Sequence, residues 1–401
     1  MGPTLAGPSS REVRVGHGLM NPVRESIHVV HAVPSITRTA GGTSTFVAEL
    51  ANHESLDPCT AVTLLMMGSS KQDLPLSPGV AIAPPLRTRP TKWLAETHRR
   101  RGIDLLHAHA LWLRHTHDVL STAQSLGIPT ILSPHGMLEP HALRHRAGKK
   151  LMARLLYQDH DLCRTDFLHA TALPEAQTLR RCGLKQPVMI VPPGLDLPPR
   201  AAMRTWSPNG QREALFFSRI HPVKNLIGLV SAWAASRPHD WTLRIVGPDE
   251  GGHSAAVQAR IDALGLGNAV TVSGPVYGPE KGNLFASASL FILPSLTENF
   301  GIVVAEALAY GVPVITTIGT PWSELPERDC GLWVRPDHDS LVAAITEATQ
   351  TSPDRLRDMG LRGRALVEEK YQWPSVRDAM RAAYLWALGR GPRPDCVMLA
   401  S

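Results

Sequence analysis

From Ile27 onward, short apolar runs alternate along the chain with segments whose apolar residues recur every three or four positions. The runs read as buried strands and the recurring segments as amphipathic helices. In the first half the predicted strands are Ile27–Val33, Ala61–Met66, Leu105–His107, Thr130–Ser133, Leu168–Ala170 and Val188–Val191. In the second half they are Ala214–Ser218, Thr242–Val246, Val270–Ser273, Leu290–Leu293, Val314–Thr316 and Leu332–Val334. Strands that alternate with helices predict parallel sheets with right-handed crossovers. A stretch dense in proline and glycine, Pro192 to Pro199 and then Trp206-Ser207-Pro208-Asn209-Gly210, marks a linker between the halves. The predicted fold class is α/β, with doubly wound domains at residues 27–200 and 201–374 facing each other across a cleft. Interdomain clefts are common ligand sites. Residues 1–26, rich in Gly, Pro, Ser and Arg, read as a flexible N-terminus, with Met20 as an alternative start. Residues 391–401 read as a tail.

A length of 401 residues exceeds what one ordinary core organises, in keeping with two domains. The 43% hydrophobic and 19% charged residues are those of a soluble globular protein. The five cysteines (Cys59, Cys163, Cys182, Cys330, Cys396) are dispersed and odd in number, which points to reduced thiols in a cytoplasmic compartment. The N-terminal stretch lacks the long apolar core of a secretory signal. No apolar run is long enough to span a membrane, since Glu306, Gly and Pro break the longest. The net charge of +6 is clustered. Arg87, Arg89, Lys92, Arg99, Arg100 and Arg101 crowd one segment. Arg144, His145, Arg146, Lys149, Lys150 and Arg154 crowd another, among Leu143, Leu151 and Leu155. Such clusters are either solvated faces or attraction sites for anionic headgroups and phosphate-bearing acceptors. Nucleic acid is disfavoured, because aromatic residues make up only 5% and no nucleic-acid-binding motif is present.

The candidate chemistry lies at strand ends. Glu298-Asn299-Phe300-Gly301-Ile302 follows the apolar run Leu290–Leu293 and precedes a predicted helix, Gly301 to Tyr310. In an open α/β sheet that junction is where ligands bind, and free N–H groups at the helix start favour anions. Glu306 falls inside the helix among Val, Ala and Leu, where a carboxylate needs a partner. An internal Arg beside Glu306 and a solvated Glu298 are the plain alternative; the two together at this junction favour a ligand site. Ser218-Arg219-Ile220-His221-Pro222-Val223-Lys224 puts two cations at the end of another strand, which suits a diphosphate. Gly41-Gly42 opens a helix through Phe46, Val47 and Leu50 and lets backbone approach a phosphate, although a glycine pair also makes an ordinary turn. It is not the GxGxxG fingerprint of dinucleotide enzymes. His135, beside Gly136 at a strand end, points into the predicted cleft. His107 and His109 share one face of an extended segment and form a potential metal pair, but no further ligands stand at a recognisable spacing, so no metal is expected.

Taken together these segments resemble the retaining glycosyltransferases of family 4, which have the GT-B fold of two Rossmann-like domains. The similarity runs from about Ile27 to Leu388. Its most specific parts are Glu298–Glu306 (E-x7-E), the Gly-Pro-Val-Tyr-Gly-Pro-Glu-Lys segment 274–281, Ile190 to Asp196, Asp104 to His109, and Tyr371-Gln372-Trp373 before a last helix. The pattern looks most like bacterial members that build exopolysaccharide, capsule or lipopolysaccharide. The resemblance implies an acceptor-side first domain, a second domain that binds the nucleotide sugar, and a helix at 375–390 that crosses back to the first. It implies that Arg219 and Lys224 hold the donor diphosphate and that Gly42, next to Gly41, lets the first domain's loop close on it. Glu298 would hold donor-sugar hydroxyls with the backbone of Asn299, Phe300, Gly301 and Ile302, Glu306 the ribose, and backbone at Val276 the base. His135 would contact the sugar near the reaction centre. Pro193 stands where many relatives have Asn, and His221-Pro222 is less usual, though neither is a presumed ligand contact.

The implied activity is hexose transfer from a uridine or guanosine diphosphate sugar to a saccharide or lipid-linked saccharide, with retention and without a metal or cofactor. Partners would be the nucleotide sugar, the acceptor and an anionic membrane surface, with the protein cytoplasmic or peripheral at the inner face of the plasma membrane. Alternatives are another GT-B nucleotide-sugar enzyme (a 2-epimerase or hydrolase), a metal-dependent hydrolase built on His107 and His109, or a non-catalytic scaffold. The set Arg219, Lys224, Glu298 and Glu306 disfavours the scaffold, which needs none of them.

Overall fold

A computed structural model describes residues 26–37, 42–67, 72–84, 90–144, 146–204 and 212–400. Gly41, Arg87, Arg89, His145, the 206–210 part of the linker and the 1–25 part of the N-terminal segment lie outside them. The chain divides into unit 1, residues 1–193 with 376–401, and unit 2, residues 194–375.

Among its described residues, unit 1 carries an eight-stranded sheet. Its chain order is β1 (Ile27–Val33), α1 (Gly42–Glu54), β2 (Thr60–Met66), β3 (Val80–Ile82), α2 (Pro90–Arg101), β4 (Leu105–His109), α3 (Arg114–Ser125) and β5 (Thr130–Ser133). Then come α4 (Pro140–Arg144), α5 (Ala147–Ala153), which runs on as a π-helical turn Arg154–Gln158, α6 (Asp159–Arg164), β6 (Phe167–Ala170), α7 (Leu173–Arg181) and β7 (Val188–Ile190). In space the order is β14-β7-β6-β5-β4-β1-β2-β3, all parallel except the C-terminal strand β14 (Val397–Met398). Unit 2 holds β8 (Arg212–Phe217), α8 (Leu226–Ser236), β9 (Trp241–Val246), α9 (His253–Ala263), β10 (Val270–Ser273), α10 (Pro279–Ser287) and β11 (Leu290–Leu293). It continues with α11 (Ile302–Ala309), β12 (Val314–Thr317), α12 (Glu324–Glu327), β13 (Gly331–Val334), α13 (His338–Gln350) and α14 (Pro353–Lys370). Its six parallel strands run β10-β9-β8-β11-β12-β13. The last helix, α15 (Trp373–Ala387), starts in unit 2 and continues in unit 1.

The central strands are buried and mostly apolar, as parallel strands covered on both faces tend to be; β5, β11 and β12 have no exposed residue. Helices on either side bury Leu50, Leu94, Leu120 and Leu179 in unit 1 and Leu229, Ile261, Leu308 and Ile345 in unit 2. Two strands differ from the sequence reading. The segment expected to be a plain tail contains β14, paired antiparallel with β7 through Val397↔Met189. The sequence pattern does not predict β3 either. Both are edge strands of two or three residues, too short to show an alternation, and Ala81 and Ile82 are exposed.

Both sheets reverse their winding once, between β1 and β4 in unit 1 and between β8 and β11 in unit 2. Ligands of doubly wound sheets bind beyond the carboxyl ends of the strands at such a switch.

Candidate active site

At the unit 2 switch, β8 leads through Ser218 and Arg219 into a 3₁₀ turn, Pro222–Lys224, and β11 leads into the loop that carries Glu298. The His221 ring caps the turn by accepting from the Val223 N–H at 3.2 Å. Asn225 is left-handed (φ 56) and α8 begins directly after it. The Leu296 N–H donates to the Val223 carbonyl at 2.8 Å, tying the two loops together. Lys224 is thereby held inward at 5% exposure and ion-pairs with Glu298 Oε1. The same oxygen accepts from Ser295 Oγ at 2.8 Å, and the Glu298 N–H donates to the Gly319 carbonyl at 2.8 Å. A Cβ on Gly247, at the end of β9, would stand 1.8 Å from the Ser218 carbonyl oxygen, so only glycine lets these strand ends meet. Glu298 is therefore not a solvated carboxylate; its partner is Lys224, one of the two cations read from sequence.

Glu306, midway along α11, pairs with Lys281 at 2.5 Å, not with an arginine. Its other oxygen, Oε2, is buried with no hydrogen-bond partner among the described residues. A buried acceptor without a donor is unfavourable by itself and invites a ligand hydroxyl. Arg219 pairs with Glu250 at 2.5 Å, both about half exposed. The Phe300 carbonyl accepts from Trp322 Nε1 at 2.7 Å, and its ring packs on Trp322 and Tyr371. That anchor fixes left-handed Gly301 (φ 77) and so the start of α11, where the Val304 N–H already donates to the Gly301 carbonyl at 2.9 Å and the N–H groups of Ile302 and Val303 lack intrahelical acceptors. Asn299 is half-buried on the same loop, and Val276 is half-buried in the coil between β10 and α10. Ser295, Glu250, Gly247 and Gly319 were not singled out from sequence, although Ser295 adjoins the quoted motif.

In unit 1, Gly42 opens α1, and nothing lies within 4 Å of where its Cβ would be. His135 follows β5 in a left-handed conformation (φ 51), half-buried. Its loop is fixed by the Gly136 N–H donating to Glu175 Oε1 at 2.6 Å. Behind it stands a buried group that sequence spacing only half revealed. Register pairs His31 with His107 and His109 with Ser133, and a β-strand shows every second residue on one face. His31, His107, His109 and Ser133 therefore share one face and are essentially fully buried, as is His169 of β6. Burial, reinforced by the neighbouring rings, pushes the His107 and His109 imidazoles well below their usual range. Burial and then His169 bring His135 down to about 3, and burial brings His169 to about 4. These rings are neutral at physiological pH.

Ring nitrogens of His31, His107 and His109 come close enough to suggest a metal cluster. The ring geometry opposes it. His107 and His109 stack, with centroids 4.2 Å apart and planes 28° apart, so their in-plane lone pairs do not converge on one ion. Each ring nitrogen of the three also already has a protein partner: Tyr384 and Ser133 for His107, His31 and His135 for His109, Glu54 and His109 for His31. A hydrolase built on His107 and His109 is not supported.

Residues 40–198 match the family model described as Glycosyltransferase Family 4, and residues 203–365 match Glycosyl transferases group 1. A D-inositol 3-phosphate glycosyltransferase of Catenulispora acidiphila is 30% identical over 313 residues, covering 72% of this chain and 74% of that protein. Among solved structures, sucrose-phosphate synthase of Thermosynechococcus elongatus superposes with a TM-score of 0.71 at 19% identity, over 90% of this chain and 99% of that one. Anabaena HepE in complex with UDP-glucose superposes with a TM-score of 0.65 at 17% identity, over 88% and 98%.

Proposed function

Because the chain belongs to the family 4 glycosyltransferases and has the GT-B fold, we propose that it moves a hexose from a uridine or guanosine diphosphate sugar to a lipid-linked saccharide in cell-surface polysaccharide synthesis. The transfer retains anomeric configuration and uses no metal. The observation that carries the donor half is the pair of carboxylates at the unit 2 switch, Glu298 held by Lys224 and Glu306 with one buried oxygen unsatisfied. On arrival of the donor, Lys224 and Arg219 turn to its diphosphate, Glu298 accepts from sugar hydroxyls, and Glu306 Oε2 accepts from the ribose. As the bond from C1 to the phosphate oxygen breaks, its electron pair goes to the diphosphate, where two cations and the start of α11 meet the growing charge. The acceptor oxygen bonds C1 from the same face, and its proton passes to the leaving phosphate oxygen. One positioned donor in such a site contributes about 3–4 kcal/mol.

The acceptor half rests on α5 and its π-helical extension. Leu151, Met152, Leu155 and Leu156 are 59%, 63%, 79% and 71% exposed on successive turns. Arg146, Lys149 and Arg154 flank them. Apolar side chains set among cations suit the headgroup boundary of an anionic leaflet, although no helix among the described residues is long and apolar enough to cross a membrane. A second reading, a small phosphorylated polyol as acceptor, is favoured by the D-inositol 3-phosphate glycosyltransferase among the relatives. Nucleotide release from a panel of UDP- and GDP-sugars, with and without EDTA, tests the donor half in wild type and Glu298→Ala. The expected result is turnover of one donor, indifferent to EDTA and lost in the variant. Absence of binding of any nucleotide would overturn the reading. Stimulation by inositol phosphate but not by lipid-linked saccharide on anionic vesicles would select the second acceptor.

A further inference from the structure

The buried histidines of unit 1 form two unbroken hydrogen-bonded chains, each anchored at a group that can only accept. The first runs from Glu54 Oε2 to His31 Nε2 (2.7 Å), from His31 Nδ1 to His109 Nε2 (3.0 Å), and from His109 Nδ1 to His135 Nε2 (3.0 Å). The second runs from the Val191 carbonyl to His169 Nε2 (2.9 Å), from His169 Nδ1 to Ser133 Oγ (2.7 Å), from Ser133 Oγ to His107 Nε2 (2.6 Å), and from His107 Nδ1 to Tyr384 Oη (2.8 Å). Phe46 of α1 lies over both, stacked on His169 at 5.9 Å and edge-on to His135 at 5.4 Å.

A neutral imidazole has one N–H and one lone pair, so each contact fixes the next. A carboxylate only accepts; His31 therefore donates from Nε2 and accepts at Nδ1. His109 must then donate from Nε2 and accept at Nδ1, and His135 must donate from Nε2. Its Nδ1, which has no partner among the described residues, is left as a bare lone pair on a residue that is half-buried. The second chain gives the same answer from its own end. The carbonyl makes His169 the donor at Nε2, so Ser133 donates to His169, His107 donates to Ser133, and Tyr384 donates to His107.

We propose that Glu54, His31 and His109 are positioning residues that hold His135 as the Nε2–H tautomer, so that it meets a substrate hydroxyl with an accepting Nδ1. The assignment of a sugar hydroxyl as that donor rests on the transferase reading above; the tautomer does not. His135 cannot turn over without breaking its bond to His109. The opposite polarity requires one more proton on the Glu54–His31 pair, so that His31 Nδ1 donates to His109, which would make His135 an acceptor at Nε2 and a donor at Nδ1.

The full chain labelled with ¹⁵N-histidine tests this by long-range ¹H–¹⁵N correlation spectra at pH 7.5, without donor or acceptor. Five rings, His31, His107, His109, His135 and His169, are expected as Nε2–H with bare Nδ1. A proton on Nδ1 of His109 or His135 overturns the proposal, whatever the enzyme's substrate proves to be. In Glu54→Leu the anchor is gone. His135 is then expected as a mixture of tautomers, and kcat is expected to fall about tenfold, the equivalent of one ordinary hydrogen bond, with nucleotide Kd within twofold. An unmixed His135 in that variant, or mixed tautomers with unchanged kcat, overturns the role given to Glu54.

Discussion

Glu306→Gln isolates the contribution of one oxygen. In the free protein Lys281 occupies Oε1 at 2.5 Å, and Oε2 is buried without a donor. A lysine ammonium has only N–H groups to offer, so the amide oxygen of the introduced glutamine must face Lys281. The amide NH₂ then replaces Oε2, a donor where an acceptor stood. The pair is 32% and 22% exposed, so exchanging its charge should alter stability by no more than about 1 kcal/mol. A hydrogen bond to a charged acceptor contributes about 1.5–3 kcal/mol, which corresponds to roughly 10- to 150-fold in affinity. Calorimetric titration with UDP, GDP and their 2′- and 3′-deoxy forms reads it directly. Wild type should lose that factor on removal of one ribose hydroxyl, whereas Glu306→Gln should bind intact and deoxy nucleotides equally weakly. If Glu306→Gln binds nucleotide within twofold of wild type and still discriminates against a deoxy form, Glu306 does not read the ribose and the donor pose is wrong.

Three further outcomes follow from the same geometry. Glu298→Gln should keep nucleotide affinity within a few-fold while removing turnover, and Lys224→Met should reduce both; an equal loss of binding in the two variants refutes that division of roles. Gly247→Ala forces a methyl to within 1.8 Å of the Ser218 carbonyl, and the backbone shift should destabilise by about 3 kcal/mol, seen as a lower Tm with weakened nucleotide binding; an unchanged Tm would contradict the close approach of β8 and β9. His135 and His169 titrate near 3 and 4 when folded, against about 6.5 when unfolded. Below pH 6.5 the unfolded chain therefore takes up protons that the native rings refuse, so each ring withdraws about 1.4 kcal/mol of stability per pH unit down to its folded value. Thermal unfolding from pH 7.5 to 5 should show Tm falling below 6.5, less steeply in His169→Gln; a flat Tm would mean the rings are not held neutral.

Most of the parallel strands were legible because they are short runs dominated by apolar residues, and Thr130–Ser133, Val270–Ser273 and Leu290–Leu293 have the predicted bounds. The GT-B architecture followed from their alternation with helices and from the family motifs. At the unit 2 switch, Glu298 and Lys224 could be read because each lies within a few residues of a strand's carboxyl end. Their direct contact could not, since 74 residues separate them, and only the adjacency of β8 and β11 brings the two loops together. The same limit hid the histidine chains. His107 and His109 were visible as a pair, because a strand's period of two is local. His31, Ser133, His169, Glu54 and Tyr384 come from other strands and from helices, and strand order together with register decides which rings meet. A sequence thus determines on its own what each segment buries and where its ends lie, as that depends on neighbours along the chain. The pairing of carboxylate with ammonium and of one imidazole with the next belongs to the tertiary structure, because hydrogen bonds of about 3 Å act only between groups that the folded sheet has already placed side by side.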